Sequence, residues 1–142
     1  MQQVMENLEK IRYLILDVDG TMTDGGVYLD SRGAEMKKFS IKDGAGILLA
    51  RRAGIESVIL TGRESQCVRK RAEELAIPLV FQGVKDKRAF LLEFLETNEI
   101  LPQEAAYMGD DRTDLEAMQC VGLAVCPQDA ATQVKAYSPS VL

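Results

Sequence analysis

Asp17 and Asp19 stand two residues apart, directly after the apolar run 13–16. At a strand end this spacing lets both side chains point the same way while Val18 faces the other. One carboxylate can then attack phosphorus while the other serves first as acid and then as base. Like charges this close repel unless a cation lies between them, and hard oxygen ligands suit octahedral magnesium, which keeps several waters and contacts substrate phosphate. Asp110, in the run Gly109-Asp110-Asp111, is the natural third protein ligand. Thr61 and the amide of Gly62, at an expected helix start, can hold non-bridging phosphate oxygens, and Lys87 can neutralise charge that grows during transfer. Each piece alone has an ordinary reading: Asp17 or Asp19 as a cap or turn residue, Thr61 as an N-cap, Lys87 as surface charge, and Asp110-Asp111 with Asp114 as a capped helix start. Their joint occurrence in this order points to phosphate chemistry.

Composition narrows the alternatives. The chain has 142 residues and contains no histidine, which removes Ser-His and Cys-His catalysis and every His-ligated metal site. Cys67, Cys120 and Cys126 lack CxxC or zinc spacing and read as small buried side chains. A net charge of -5 argues against non-specific nucleic-acid binding, and the one dense basic run, Arg69-Lys70-Arg71, reads as a solvated helix face. Residues 1–10 have neither the basic start nor the apolar run of a secretory signal, and no stretch reaches membrane-spanning length, so a cytoplasmic protein is expected.

Positioning those residues requires a scaffold. Short apolar runs at 13–16, 57–60, 79–81, 105–108 and 122–125 read as five buried parallel strands. Helical spacing occupies 45–53, closed by Gly54, then 64–75, 85–97 and 113–120. Alternating strand and helix predicts a doubly wound α/β sheet in a single domain over 1–142. Residues 27–29 and 36–39 flank the turn Asp30-Ser31-Arg32-Gly33, giving an expected hairpin over about 26–39. In such sheets ligands bind beyond the carboxyl ends of the strands, where Asp17, Asp19, Thr61, Gly62, Arg63, Lys87 and Asp110 all fall.

The segments Asp17-Val18-Asp19-Gly20-Thr21, Thr61-Gly62-Arg63, Lys87 and Gly109-Asp110-Asp111-Arg112-Thr113-Asp114 resemble the four motifs of the haloacid dehalogenase superfamily of phosphatases. With the hairpin and Phe39-Ser40-Ile41-Lys42-Asp43-Gly44-Ala45-Gly46-Ile47, the chain more narrowly resembles the 3-deoxy-D-manno-octulosonate 8-phosphate phosphatases of lipopolysaccharide synthesis. The resemblance implies Asp17 as aspartyl-phosphate nucleophile and Asp19 as acid/base. Magnesium would be held by Asp17, the Asp19 carbonyl and Asp110. It also implies substrate contacts from Asp19, Ser40, Ile41, Lys42, Asp43, Gly44, Arg63, Arg71 and Lys87.

The stretches from Asp24 to Thr61 and from Gly62 to Lys87 are too short for the large cap of many superfamily members. The resemblance implies instead a homotetramer in which a neighbouring subunit covers each site. Two departures stand out: Leu48 occupies a position that is commonly basic, and the Gly-rich tail of resembling proteins would lie beyond Leu142. Competing readings are a phosphatase of a nine-carbon sugar-acid phosphate, a non-catalytic tetramerisation module of the same fold, and a signalling receiver domain. The receiver places its phosphorylated Asp after a later strand, and the retained Asp17, Asp19, Lys87 and Asp110 weigh against the module.

Overall fold

The computed structural model describes residues 2–138 and 140–141. Its strands in chain order are β1 (Tyr13–Leu16), β2 (Tyr28–Leu29), β3 (Glu35–Met36), β4 (Glu56–Leu60), β5 (Leu79–Phe81), β6 (Ala105–Met108), β7 (Leu123–Cys126) and β8 (Ser140–Val141). The helices are α1 (Gln2–Leu8), α2 (Ile41–Arg52), α3 (Gln66–Glu74), α4 (Lys87–Thr97), α5 (Arg112–Met118) and α6 (Thr132–Tyr137).

Six strands form one parallel sheet in the order β5-β4-β1-β6-β7-β8, and β2 and β3 pair antiparallel as a separate hairpin. The five expected strands are all present. β8, a two-residue edge strand beside β7, is an addition, because so short an edge carries no apolar run for a sequence pattern to detect.

Successive strand residues divide between the two faces as a period of two requires. Ile15, Val58, Leu60 and Tyr107 face a core shared with Leu91 and Leu95 of α4, Met118 of α5 and Val134 of α6. Leu16 and Ile59 face the opposite core, with Ile47 of α2 and Val68 and Ala72 of α3. Helices therefore cover both faces, and β1 at the centre is held in register by β4 and β6, with Leu16 opposite Ile59 and Met108. That register brings the ends of β1 and β6 level, so the residues that follow them emerge side by side.

Three helix starts differ from expectation by two residues or more, and a side-chain cap sets two of them. α2 begins at Ile41, after extended Ser40, so Lys42, Asp43 and Gly44 lie within its first turn. α3 begins at Gln66, where the Ser65 hydroxyl accepts from the Val68 amide. Thr61 is therefore no N-cap. It lies buried between β4 and the following loop, its amide donating to Phe81 and its carbonyl accepting from Val84. α4 begins at Lys87 because the Asp86 carboxylate accepts from the Ala89 amide at 3.0 Å.

Candidate active site

Asp17, the first residue beyond β1, reaches into a crevice of about 320 Å³ also lined by Asp19, Gly62, Arg63, Lys85, Lys87, Asp110 and Thr113. Buried Lys87 donates to Asp17 Oδ1 at 2.8 Å and to Asp114 Oδ1 at 2.8 Å. Asp114 is fully buried; it also accepts from the Tyr107 hydroxyl at 2.7 Å and, through Oδ2, from the amides of Asp110 and Asp111 at 3.2 Å each. One carboxylate thus fixes the lysine, the β6 tyrosine and the loop that carries Asp110. Asp111 and Asp114 also form a capping box at the start of α5, so the capped-helix reading of that run holds beside its role in the crevice.

Asp17, Asp110 and Asp114 each offer an oxygen within 4.8 Å of the others, the one such acidic group among the described residues. Asp110 Oδ1 is buried without a hydrogen-bond partner. Burial first, and then the adjoining Asp17 carboxylate, push the Asp110 carboxyl up to about 7. Burial and the Asp114 charge likewise raise Asp17, although Lys87 acts against them. Burial works against the Lys87 ammonium too, but Asp17 and Asp114 outweigh it and hold its pKa above the ordinary lysine value. A converging carboxylate pair with an orphaned buried oxygen is the donor set a hard divalent cation requires, and magnesium fits it.

Glycines make this closeness feasible. A Cβ on Gly20 would sit 1.8 Å from Asp110 Oδ2, at a φ of +87° that a side chain disfavours. A Cβ on Gly109 would sit 2.6 Å from Asp114 Cγ. The sequence asks for backbone in both places so that carboxylates can fill the space.

The Asp19 side chain points away from the acidic cluster, into an ion pair with the Lys37 ammonium just beyond β3. Arg63 lines the same crevice and pairs with Glu35 on β3. Gly62 lines it as well, its carbonyl accepting from Lys85 at 3.0 Å, whereas Thr61 stands behind the wall.

The remaining predicted residues gather elsewhere. Ser40 and Asp43 line an adjoining recess with Thr21, Thr23 and Asp24, and Lys42 and Asp43 line an apolar one with Met22, Ile47 and Met108. Exposed Ile41 lines neither. Arg71 is no solvated charge: it donates to the Ser40 carbonyl at 2.9 Å and to Glu74 at 2.9 Å, and lies 5.7 Å from the centre of the Phe39 ring. Gly44 lets it come so close, since a Cβ there would stand 3.3 Å from Arg71 Nη2. Burial raises the Asp43 carboxyl, and the Arg71 charge opposes that rise.

No protein-family model matches the chain. The Escherichia coli (strain B / BL21-DE3) 3-deoxy-D-manno-octulosonate 8-phosphate phosphatase KdsC is 42% identical over 127 residues, covering 89% of this chain and 68% of KdsC. The chain belongs to the 3-deoxy-D-manno-octulosonate 8-phosphate phosphatase family. A member of that family from Moraxella catarrhalis, whose crystal structure is a complex with magnesium, phosphate and KDO, superposes with a TM-score of 0.95 at 33% identity. That match covers 100% of this chain and 82% of the Moraxella one. A Legionella pneumophila protein described as a hydrolase of HAD superfamily subfamily III A superposes with a TM-score of 0.95 at 37% identity, over 99% of this chain and 78% of its own. The family carries the fold derived above: a doubly wound parallel α/β sheet of the haloacid dehalogenase type with a projecting hairpin, and no cap domain is evident in this chain.

Four residues that brace the crevice from behind gain their roles only in the structure. Asp114 falls in the fourth motif, but its residue type and position read as a helix cap. Tyr107 reads as strand core, which it also is, and its hydroxyl can be foreseen only from the depth of Asp114. Glu35 and Lys37 carry the one legible signal: two opposite charges at alternate positions of a hairpin strand share a face.

Proposed function

We propose that this chain is a magnesium-dependent phosphatase that hydrolyses 3-deoxy-D-manno-octulosonate 8-phosphate to the free sugar acid and phosphate. The observation that carries the reading is Asp17, buried and held by Lys87 beside Asp110, with Asp19 two residues on at the same crevice. The family membership supports the substrate.

A carboxylate oxygen of Asp17 attacks phosphorus, forming an aspartyl-phosphate as the bond to the sugar oxygen breaks. Asp19 gives its proton to that leaving oxygen. It then takes one from a water that attacks the same phosphorus, releasing phosphate and restoring Asp17. Lys87 neutralises transferring oxygens, and the Gly62 backbone faces them. Magnesium, held by Asp17, the Asp19 carbonyl and Asp110, would draw off charge developing on the phosphoryl group. Arg63 meets the body of the sugar acid, while residues 40–44 and Arg71 form the more distant part of its site, with Thr61 supporting the phosphate loop from behind.

We further place the reaction in the cytoplasm, in lipopolysaccharide synthesis, and in a homotetramer of single-domain subunits. Tyr28, Leu29 and Met36 of the hairpin are 64%, 64% and 66% exposed, an apolar surface that a neighbouring subunit would cover. No helix among the described residues is long and apolar enough to cross a membrane.

The test is phosphate release by wild-type and Asp17→Asn protein, with magnesium and with chelator, on the eight-carbon substrate, a nine-carbon analogue and an aryl phosphate. Magnesium-dependent turnover that falls by about a thousandfold or more in Asp17→Asn is expected, since removing a nucleophile removes the covalent route. Equal turnover by the variant would sink the mechanism, and preference for the nine-carbon acid would reassign the substrate.

A further inference from the structure

Lys37 is a buried cation outside every motif that the phosphate chemistry uses. Its side chain is 0% exposed, and such an ammonium needs partners to repay its lost hydration. It has two: the Asp19 carboxylate, and Glu35 Oε2 at 3.7 Å. Glu35 in turn binds Arg63 through its other oxygen, and that hydrogen bond holds the Glu35 carboxyl below the usual carboxylate range. The result is a chain of alternating charge, Asp19, Lys37, Glu35, Arg63, with both of its ends lining the crevice.

The strand geometry explains why the hairpin can do this. Glu35 and Lys37 are two residues apart and share a face, while Met36 between them turns outward. A hairpin merely anchored to the domain has no need to choose Asp19 and Arg63 as its partners.

We propose that the β3 edge is a displaceable gate on this chain's own site. Lys37 is a positioning residue that fixes the Asp19 carboxylate, and Glu35 is a placeholder on Arg63 that an anionic or hydroxyl-rich part of the substrate replaces. Both side chains act on partners in their own chain, beneath the hairpin surface that a neighbouring subunit would cover, and the proposal rests on the phosphatase reading above.

Two kinetic splits and one binding measurement test it. A sugar alkoxide is a poor leaving group that needs a proton from Asp19; an aryl oxide hardly does. Lys37→Met should therefore lower kcat/KM about tenfold on the sugar-acid phosphate and less than threefold on an aryl phosphate, with Lys37→Arg recovering most of the loss. A purely structural defect lowers both alike. Glu35→Gln should lower KM for the sugar-acid phosphate about threefold, the scale of a part-exposed ion pair, and leave KM for the aryl phosphate unchanged. By calorimetry the same variant should bind the free sugar acid about threefold tighter than wild type.

Equal losses on both substrates, or wild-type values for Lys37→Met, overturn the positioning role. Unchanged KM and affinity in Glu35→Gln overturn the placeholder. If Lys37→Met does not fold, the Glu35→Gln measurements and Lys37→Arg decide. A wild-type protein that turns over neither substrate sinks the phosphatase reading instead, and the calorimetric comparison still judges the gate.

Discussion

The two walls of the crevice are built differently. On the β1/β6 side, Asp17, Lys87, Asp114 and Tyr107 are buried and joined by hydrogen bonds of 2.7 to 2.8 Å. Nothing there has to move before a phosphate arrives except to admit a cation. On the hairpin side, Arg63 is paired with Glu35 and Asp19 with Lys37, and in the adjoining recess beyond the crevice Arg71 is paired with the Ser40 carbonyl. Those groups satisfy one another, and on the proposed reading they must exchange partners to meet a sugar. On that reading the phosphoryl half is preorganised by burial, where unpaired charge is most costly, while the sugar half sits where water can cover the exchange.

The largest expected effect comes from removing the lysine of the buried wall. Lys87→Met leaves Asp17 and Asp114 facing each other, and breaking a buried pair in this way costs about 3–5 kcal/mol. Urea unfolding in chelator should register that loss, and added magnesium should recover part of it by neutralising the same carboxylates. Phosphate release should fall by about a hundredfold or more, the scale of one lost charge stabiliser at a transition state. A variant as stable as wild type in chelator would mean that the wall is not braced by charge.

Beyond the crevice, around the first turn of α2, the expected losses are smaller and of another kind. Arg71→Gln removes the contact to Ser40 and the cation over Phe39, loosening the first turn of α2 without touching Asp17. KM for the sugar-acid phosphate should rise about tenfold with kcat within about twofold, as loss of uniform binding requires. A fall in kcat with unchanged KM would place Arg71 in the chemistry and erase the division between the walls.

What the sequence displayed follows the same division. The strands were legible because buried parallel strands write themselves as apolar runs, and Asp17, Asp19, Arg63, Lys87 and Asp110 because they follow those strands or a cap next to them. The helix starts shifted at Ser65 and Asp86, since which of several polar residues caps depends on backbone geometry that no period encodes, and α2 begins after extended Ser40 with no side-chain cap. The bracing roles of Asp114 and Tyr107 are not legible in any local pattern, because they come from sharing a buried pocket with Lys87, 27 residues from Asp114 along the chain. Arg71 looked like surface charge beside Arg69 and Lys70, and only the approach of α2 at Gly44 separates it from them.

The smallest expected effect probes the preorganised wall without mutation. Burial raises the carboxyls of both Asp17 and Asp110, helped by the Asp114 charge at Asp17 and by the Asp17 carboxylate at Asp110, the latter from 3.8 up to about 7. Between those two values the folded protein without metal holds protons that the unfolded chain has released, so its stability falls as pH rises through that window. Asp43, raised by burial, adds a contribution of the same sign. Asp24 and Glu35, whose folded values are lowered, change stability in the opposite sense, but that gain is complete once pH exceeds their ordinary values of 3.8 and 4.5. Above pH 5 only the falling trend remains. The thermal midpoint in chelator should therefore drop by a few degrees between pH 5 and 8. Magnesium should flatten that slope, because a cation binds the deprotonated form, and Asp110→Asn should flatten it without magnesium. A slope unchanged by Asp110→Asn would show that the acidic cluster is not where this protein stores its charge.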